Sequence, residues 1–560
     1  MLVGGGVSVR SLASVARLPP RADVLLLADD ERLQERLAAV SEAAQDRRRP
    51  LRVLVLSEPD EEVATGAADA VSEPAAPGTD CLRVERVDPY ATAARILLGR
   101  WPLHRSMDPP GGQLPHVLIA GFGPFARALL LHALRVGQYG EEPPVVTLAA
   151  DTAAQWREWI DARHPQAGRC AHLRFEALSA PRLDAAPPVT TMAVCDLPAT
   201  AALALGRELL ALAARRGDSP LLLLAADAQW PAGAVDDWDG QTVPVQPLRL
   251  SFSRAVLLEG RDDVLAEVIH EHYRDTSAAQ GRDPAAAPSG RPWPELAASY
   301  RDANRHQADH LWAKLAVTDC RAVPEELVES FAFTPTEVER LAIIEHRRWA
   351  VERWLDGWTY GPQRDNARKL HPQLIPYAAL SDAMQDLDRF AVRLVPALLA
   401  RSGLGVVRRL VVGVWGGALR RSEPVLRRGV HRVLGELAAR FPDRGLTLAL
   451  DLTDRRARSV ATEAIAHHPV GLFVLLSEPL PALLAAEPPS ARNGILRLLA
   501  KAERRVQLAG EAEVADWLGL RAEILFALDD QLVAQAAPDQ LPTKRVNLDA
   551  RGDASWNFAY

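Results

Sequence analysis

The chain has 560 residues, which at about 100–200 residues per domain implies roughly three to five domains. Hydrophobic residues at 48% and charged residues at 24% make an ordinary globular balance. The formal charge of −7 excludes a general attraction to nucleic acid or anionic lipid, so no nucleic-acid partner is expected. The four cysteines, Cys81, Cys170, Cys195 and Cys320, lie far apart and form no C-x-x-C. That spacing argues against a zinc site and a disulfide framework, and makes a reducing cytoplasm the expected compartment. No apolar run reaches the roughly 20 residues of a bilayer span. The best one begins at Val117 and is broken by Arg127, His132 and Arg135.

In chain order, residues 1–112 read as a first Rossmann-like unit. Leu2-Val3 precede Gly4-Gly5-Gly6, a helical stretch runs to Leu18, and a strand from Asp23 ends at Asp29. A glycine turn aims helix amides at a pyrophosphate, and an acid after the next strand holds a ribose. Gly4, Gly6 and Asp29 are therefore candidate cofactor-binding residues, set against a degenerate structural domain. Leu51–Ser57 reads as the next strand, 72–79 as a loop and Thr92–Leu98 as a closing helix.

Residues 113–262 form a second unit after the Pro-Pro-Gly-Gly linker at 109–112. His116–Ala120 is a buried-type strand running into Gly121-Phe122-Gly123-Pro124-Phe125-Ala126-Arg127, a G-x-G-x-x-A between strand and helix. Gly121 permits the tight turn, Gly123 lets backbone approach a phosphate, and Ala126 allows close packing. Val145–Leu148 is the second strand, with Ala149 and Ala150 where the ribose acid is expected and Asp151 just beyond. Strands at Val189–Val194 and Pro220–Ala225 with a helix at Ala199–Arg215 complete a parallel sheet. This unit resembles the TrkA-N (KTN) nucleotide-binding domains that regulate potassium transport, and the first unit resembles them more faintly. The resemblance implies NAD(H), ATP or a related adenine nucleotide, held by Gly121, Gly123, Ala126, Arg127 and Asp151.

From Asp263 the pattern becomes helical, with Val264, Leu265, Val268 and Ile269 forming a stripe. His270 and His272 do not sit at i, i+4, and no metal ligands are assigned. A Pro/Ala/Gly linker covers 281–292, followed by Trp293 and the run Tyr300–Ala308. A longer helix then carries Leu341, Ile344, Trp349, Val351 and Leu355 and stops at Gly357. Trp358-Thr359-Tyr360-Gly361-Pro362 makes an aromatic turn, and Arg364, Asp365, Arg368 and Lys369 form a polar loop. A second helix begins near Ser381.

The order H-x-x-W, G-W-x-Y-G and H-P-x-L-x-P-Y falls on His346, Trp349, Gly357, Trp358, Tyr360, Gly361, His371, Pro372, Leu374, Pro376 and Tyr377. It resembles the repeat domain of ryanodine receptors, the RyR domain, placed here at 263–405. The resemblance implies a small, mostly helical domain and no calcium channel. His346, Trp349, Trp358, Tyr360, Arg364, Asp365, Lys369, His371 and Tyr377 are its candidate ligand-binding residues. Trp358 or Tyr360 would stack on a base while Arg364, Lys369 and His371 face phosphates. The alternative is that Trp349 and Trp358 fill a small helical core, which is the expectation for Trp349, whereas Tyr360, Arg364 and His371 are expected to be exposed.

Residues 406–537 return to strands at Leu410–Trp415, Leu446–Leu450 and Val470–Leu476, with an amphipathic helix at Ser422–Arg440. They resemble Rossmann-like SLOG domains, but the turn Leu452–Arg458 carries Arg455 where the family has glycine and Ala457 where it has an acid. A docking or oligomerisation module is the expectation. The tail 538–560 reads as polar and loosely tethered, with Trp556, Phe558 and Tyr560 available to a partner.

The resulting fold class is α/β: tandem Rossmann-like parallel-sheet domains, a mostly helical RyR domain and a C-terminal Rossmann-like domain. The function expected is a non-catalytic cytosolic regulator that senses a nucleotide-type small molecule, with an architecture suggestive of bacterial conflict or defence signalling. It is expected to self-associate, at least as a homodimer. One alternative is a soluble regulatory subunit of an ion-transport system with a membrane-protein partner. The other is a nucleotide-processing enzyme using Glu345, Asp365 and Asp388, although no catalytic motif such as G-x-S-x-G, H-E-x-x-H or a P-loop lysine is present.

Overall fold

The aliphatic runs become parallel strands buried on both faces, as a sheet between helix layers requires. A computed structural model describes residues 24–28, 31–45, 51–57, 82–110, 112–179, 181–183, 186–228, 230, 241–415, 423–527, 544–548 and 554–556. Gly4, Gly6, Asp29, Cys81, Phe558 and Tyr560 lie outside these residues.

The first sheet has three parallel strands in the order β1-β2-β3, at Val24–Ala28, Leu51–Leu56 and Leu82–Val87. Helix α1 (Leu33–Ala44) follows β1, and α2 (Pro89–Arg100) follows β3. Helix α2 starts where Asp88 accepts hydrogen bonds from the amides of Tyr90 (2.8 Å) and Ala91 (2.9 Å).

The second sheet is built from β4 (His116–Ala120), α3 (Pro124–Val136), β5 (Val145–Ala150), α4 (Ala153–Arg163), β6 (His172–Ala177), β7 (Thr191–Cys195), α5 (Ala199–Arg215), β8 (Leu221–Ala225) and β9 (Thr242–Val245). All its pairings are parallel, in the order β6-β5-β4-β7-β8-β9. Counting from β4, this is the 3-2-1-4-5-6 order of the doubly wound dinucleotide fold, whose chain reverses direction between β4 and β7.

The helical region holds the short α6 (Pro247–Ser251) and α7 (Arg254–Leu257), then α8 (Val264–Ala279), α9 (Ala298–Asp309) and α10 (Leu311–Val317). Strand β10 (Cys320–Pro324) precedes α11 (Pro335–Leu355). The two-residue strands β11 (Thr359–Tyr360) and β12 (Leu370–His371) pair before α12 (Asp382–Arg393) and α13 (Val395–Arg401). Helix α11 begins with a capping box: the Glu337 amide donates to the Thr334 hydroxyl (3.3 Å) and the Thr334 amide to the Glu337 carboxylate (2.7 Å). It stops two residues before Gly357, which has φ +82°.

The third sheet is assembled from β13 (Leu404–Trp415), α14 (Glu423–Arg440), β14 (Arg444–Asp451), α15 (Arg455–His467), β15 (Gly471–Leu476), α16 (Leu480–Ala486), α17 (Pro489–Lys501), β16 (Arg504–Gln507), α18 (Glu511–Arg521), β17 (Ile524–Ala527), β18 (Arg545–Leu548) and β19 (Ala554–Trp556). Its order is β16-β15-β14-β13-β17-β18-β19, with β10 pairing antiparallel along the start of β13.

Two expectations are corrected here. Within the segment expected to be a loose tail, the described residues form strands: β18 extends the sheet beside β17, β19 turns back on β18, and Arg440 lies 3.9 Å over the Trp556 ring. The 405/406 division falls inside β13 rather than in a linker.

A single apolar cluster runs from α2 through β4, α3 and β5 into α10, α11, α13 and Val406. Ion pairs tie the same parts together, with Arg95 of α2 binding Asp309 (2.7 Å) and Asp263 (3.3 Å). Arg105 donates to the Leu499 carbonyl (2.6 Å), and Arg505 to that of Ser219 (2.7 Å). Among the described residues no helix is long and apolar enough to cross a membrane.

Candidate functional site

The glycine turn after β4 stands at the point where the second sheet reverses direction, the place where ligands of this fold bind. Gly121 has φ +116°, and a Cβ there would lie 2.0 Å from the Cys195 carbonyl oxygen. A Cβ on Gly123 would lie 2.5 Å from the Asp196 carboxyl carbon. Asp196 itself has φ +58°, a left-handed conformation uncommon for a non-glycine residue. Its carboxylate accepts the amides of Ala126 (2.7 Å) and Phe125 (3.2 Å). Burial raises the Asp196 carboxyl above its ordinary range, while those two amides and Arg127 pull it back.

The amides expected to cradle a pyrophosphate are thus occupied by the chain's own carboxylate. The room left by Gly123 accommodates Asp196. A second anion at these amides would meet the Asp196 carboxylate at close range. Arg127 stacks on the Phe122 ring (4.3 Å), Trp156 donates its indole N–H to the Gly121 carbonyl (3.1 Å), and Asp151 is exposed beyond β5. A comparable cap recurs in the third sheet. Asp454 accepts the Arg456 (2.9 Å) and Ala457 (3.1 Å) amides, and Arg455 turns to Glu487 (3.1 Å).

The second candidate is the segment from α11 to α12. His346, on α11, has Nε2 2.8 Å from the Ile375 carbonyl and Nδ1 3.3 Å from Asp388. Its ring lies 5.6 Å from Trp349 and 6.0 Å from Tyr377. His371 is edge-on to Trp349 (4.9 Å) and Trp358 (6.0 Å). The Gln373 amide donates to His371 Nδ1 (3.2 Å), so the neutral ring carries its proton on Nε2. Burial lowers the His371 imidazole, and Arg364 and Arg353 lower it further.

His346, Trp358, His371 and Tyr377 are buried, with Trp358 packing on Ala350 and Leu374. The expected exposure of His371 is therefore wrong, and Trp358 has no free face for a base. Lys369, at φ +52°, donates to the Asp356 carbonyl (2.8 Å) at the end of α11. Asp365 holds the loop through the Arg368 amide (3.0 Å). Tyr360 is 57% exposed, and Arg364 and Arg368 are exposed on the same loop.

A family model described as RyR domain matches residues 334–407. The chain carries an RyR domain. Residues 263–333, which the sequence placed in the same domain, lie outside the match.

Behind the loop, the RyR helix α11 buries a charge network that sequence reasoning missed. Lys314 from α10 is 1% exposed, and Glu345 and Arg348 are 5% each. Glu345 accepts Lys314 Nζ (2.7 Å) and Arg348 Nη2 (2.8 Å), and Glu352 accepts Arg348 Nη1 (2.8 Å). Lys314 also meets His310 Nδ1 (3.2 Å), whose Nε2 reaches the Gln138 carbonyl (2.8 Å) of the second sheet unit. Burial pushes the Glu345 carboxyl up, but Arg348 and Lys314 outweigh it and hold it well below the carboxylate range. Burial draws the Lys314 ammonium down against the attraction of Glu345. The available signal was one lysine among many arginines, Lys314, on an otherwise apolar helix.

Proposed function

We propose that this protein is a non-catalytic regulator whose RyR domain reads a nucleotide-type small molecule at the Tyr360–Arg364–Arg368 loop. The observation that carries this reading is an exposed aromatic ring and two exposed guanidinium groups on one loop, next to a packed cluster of buried His346, Trp358 and His371 with half-buried Trp349. A ring face binds a base by stacking, and arginine is suited to phosphate recognition. A loop supported by packed residues keeps these groups in place at small entropic cost.

The carboxylates favoured for an enzyme are engaged elsewhere. Glu345 lies between Lys314 and Arg348, Asp388 faces His346, and Asp365 holds its own loop. In this reading the two N-terminal units keep a TrkA-N-like fold and the third sheet a SLOG-like one, and both act as frame and coupling elements. A cytosolic setting, self-association and a role in defence signalling belong to the same proposal.

Calorimetry of the full chain with adenine nucleotides, ADP-ribose species and cyclic dinucleotides tests it. Saturable heat with one of these ligands is expected, and Y360A and R364A should each weaken it by about tenfold, the scale of one stacking or charged contact. No heat with any of them, or binding untouched by both substitutions, overturns the proposal.

A further inference from the structure

We propose that His431, Glu463 and His467 form a site for a divalent transition-metal ion, zinc by its donor set, on the helical layer over the third sheet. Glu463 and His467 are at i, i+4 on α15 and so share a face. His431 comes from the neighbouring helix α14. Glu463 Oε1 lies 3.0 Å from His431 Nε2 and 3.4 Å from His467 Nε2. One ligand atom from each of the three residues falls within 4.8 Å of the others. Tetrahedral zinc with bonds of about 2.0–2.1 Å separates adjacent ligand atoms by about 3.3 Å. Two of the three separations are already close to that value, and the His467 side chain, 55% exposed, is free to close the third.

The surroundings match what a ligating histidine needs. His431 Nδ1 is 2.8 Å from His468 Nε2. With the ion on Nε2, the His431 proton resides on Nδ1 and is donated to His468, fixing the ring's tautomer and orientation. Arg427 binds the other Glu463 oxygen, Oε2, at 3.3 Å, which leaves Oε1 as a monodentate donor. Two histidines and one carboxylate form the ligand set of zinc sites that keep a fourth position open. Here that position faces solvent beside His467, so water or an external anionic ligand completes the shell. A hydrogen-bonded cluster without an ion uses the same contacts, with both imidazoles donating to Oε1, and the experiment separates the two.

Full-length protein stripped with chelator is titrated with Zn2+ by calorimetry in buffers of different ionisation enthalpy. One ion per chain with sub-micromolar affinity is expected. E463Q and H467A should each weaken binding at least tenfold, and H468A by about tenfold through the outer contact. H172A, on an exposed histidine elsewhere, should leave it unchanged. H467A alters a half-exposed side chain and E463Q keeps an acceptor, so both should fold, as circular dichroism will show. Absence of saturable one-to-one binding, or affinity in E463Q and H467A equal to that of the parent chain, overturns the site.

Discussion

Replacing Glu345 by Gln is the sharpest probe of how the RyR domain is held to the rest of the chain. The buried network sets Lys314 and Arg348 against Glu345 and Glu352, and the half-buried Arg353 pairs with the other Glu352 oxygen (2.9 Å). Glutamine keeps the shape of the side chain but leaves one uncompensated positive charge among groups no more than about a tenth exposed. Removing one member of a buried pair costs about 3–5 kcal/mol, or about two to four decades in the unfolding equilibrium. Urea denaturation of the full chain followed by tryptophan fluorescence measures this, because Trp349, Trp354 and Trp358 lie in the same domain.

The deficit should also depend on pH. Lys314, with its folded pKa already lowered by burial, falls further without Glu345. The folded state then binds fewer protons than the unfolded chain, so the stability of E345Q should recover as pH rises from 7 towards 9–10. In K314M/E345L the remaining Arg348–Glu352 pair stays balanced, and most of the loss should disappear. A cost below about 1 kcal/mol for E345Q at pH 7, without pH dependence, would refute the reasoning.

Asp88 gives a second pH signature. Burial raises its carboxyl to about 6 despite the Ala91 and Tyr90 amides. A folded pKa above the unfolded value of ~3.9 means that its contribution is full below pH 4 and is lost as pH rises through 6. D88N keeps the helix cap without the titration, and should gain on the order of 2 kcal/mol on the parent chain between pH 4 and 7. Parallel denaturation profiles would contradict this. At the β4 turn, D196G replaces a left-handed aspartate by a residue suited to that φ and frees the Phe125 and Ala126 amides. Calorimetry should show inorganic phosphate binding at least about tenfold tighter than in the parent chain. Equal affinities would mean that Asp196 is not what excludes the anion.

Local signals were legible and distant ones were not. The His116–Ala120 strand, the turn at Gly121 and the helix after it were readable because burial pattern and glycine position act over a few residues. The stop of α11 before Gly357 and the start of α12 after Ser381 were readable for the same reason. That a residue some seventy positions later fills the α3 N-terminus was not, since Asp196 reaches it only through the β4–β7 pairing.

The same limit applies to the candidate sites. His371 sits on a polar loop in sequence, but β12 turns it inward against Trp349 and Trp358. Glu463 and His467 show a helical i, i+4 spacing, yet His431 joins them only because α14 and α15 pack on one side of the third sheet. The strands at Arg545–Leu548 and Ala554–Trp556 escaped notice because short polar runs become strands only when an edge is there to pair with.

Strand β13 carries a consequence for how the molecule comes apart. Its first residues pair with β10, and its later ones lie between β14 and β17 at the middle of the third sheet. The family match ends at residue 407, inside this strand. The family match and the hydrogen-bonded sheet therefore have different edges in this chain. Cleavage at residue 407 would leave β10 beside a severed stub and expose a row of unpaired amides and carbonyls in the middle of a sheet. Hydrogen exchange should find the β10–β13 amides and those of β14 opening together, as one block that crosses the end of the family match.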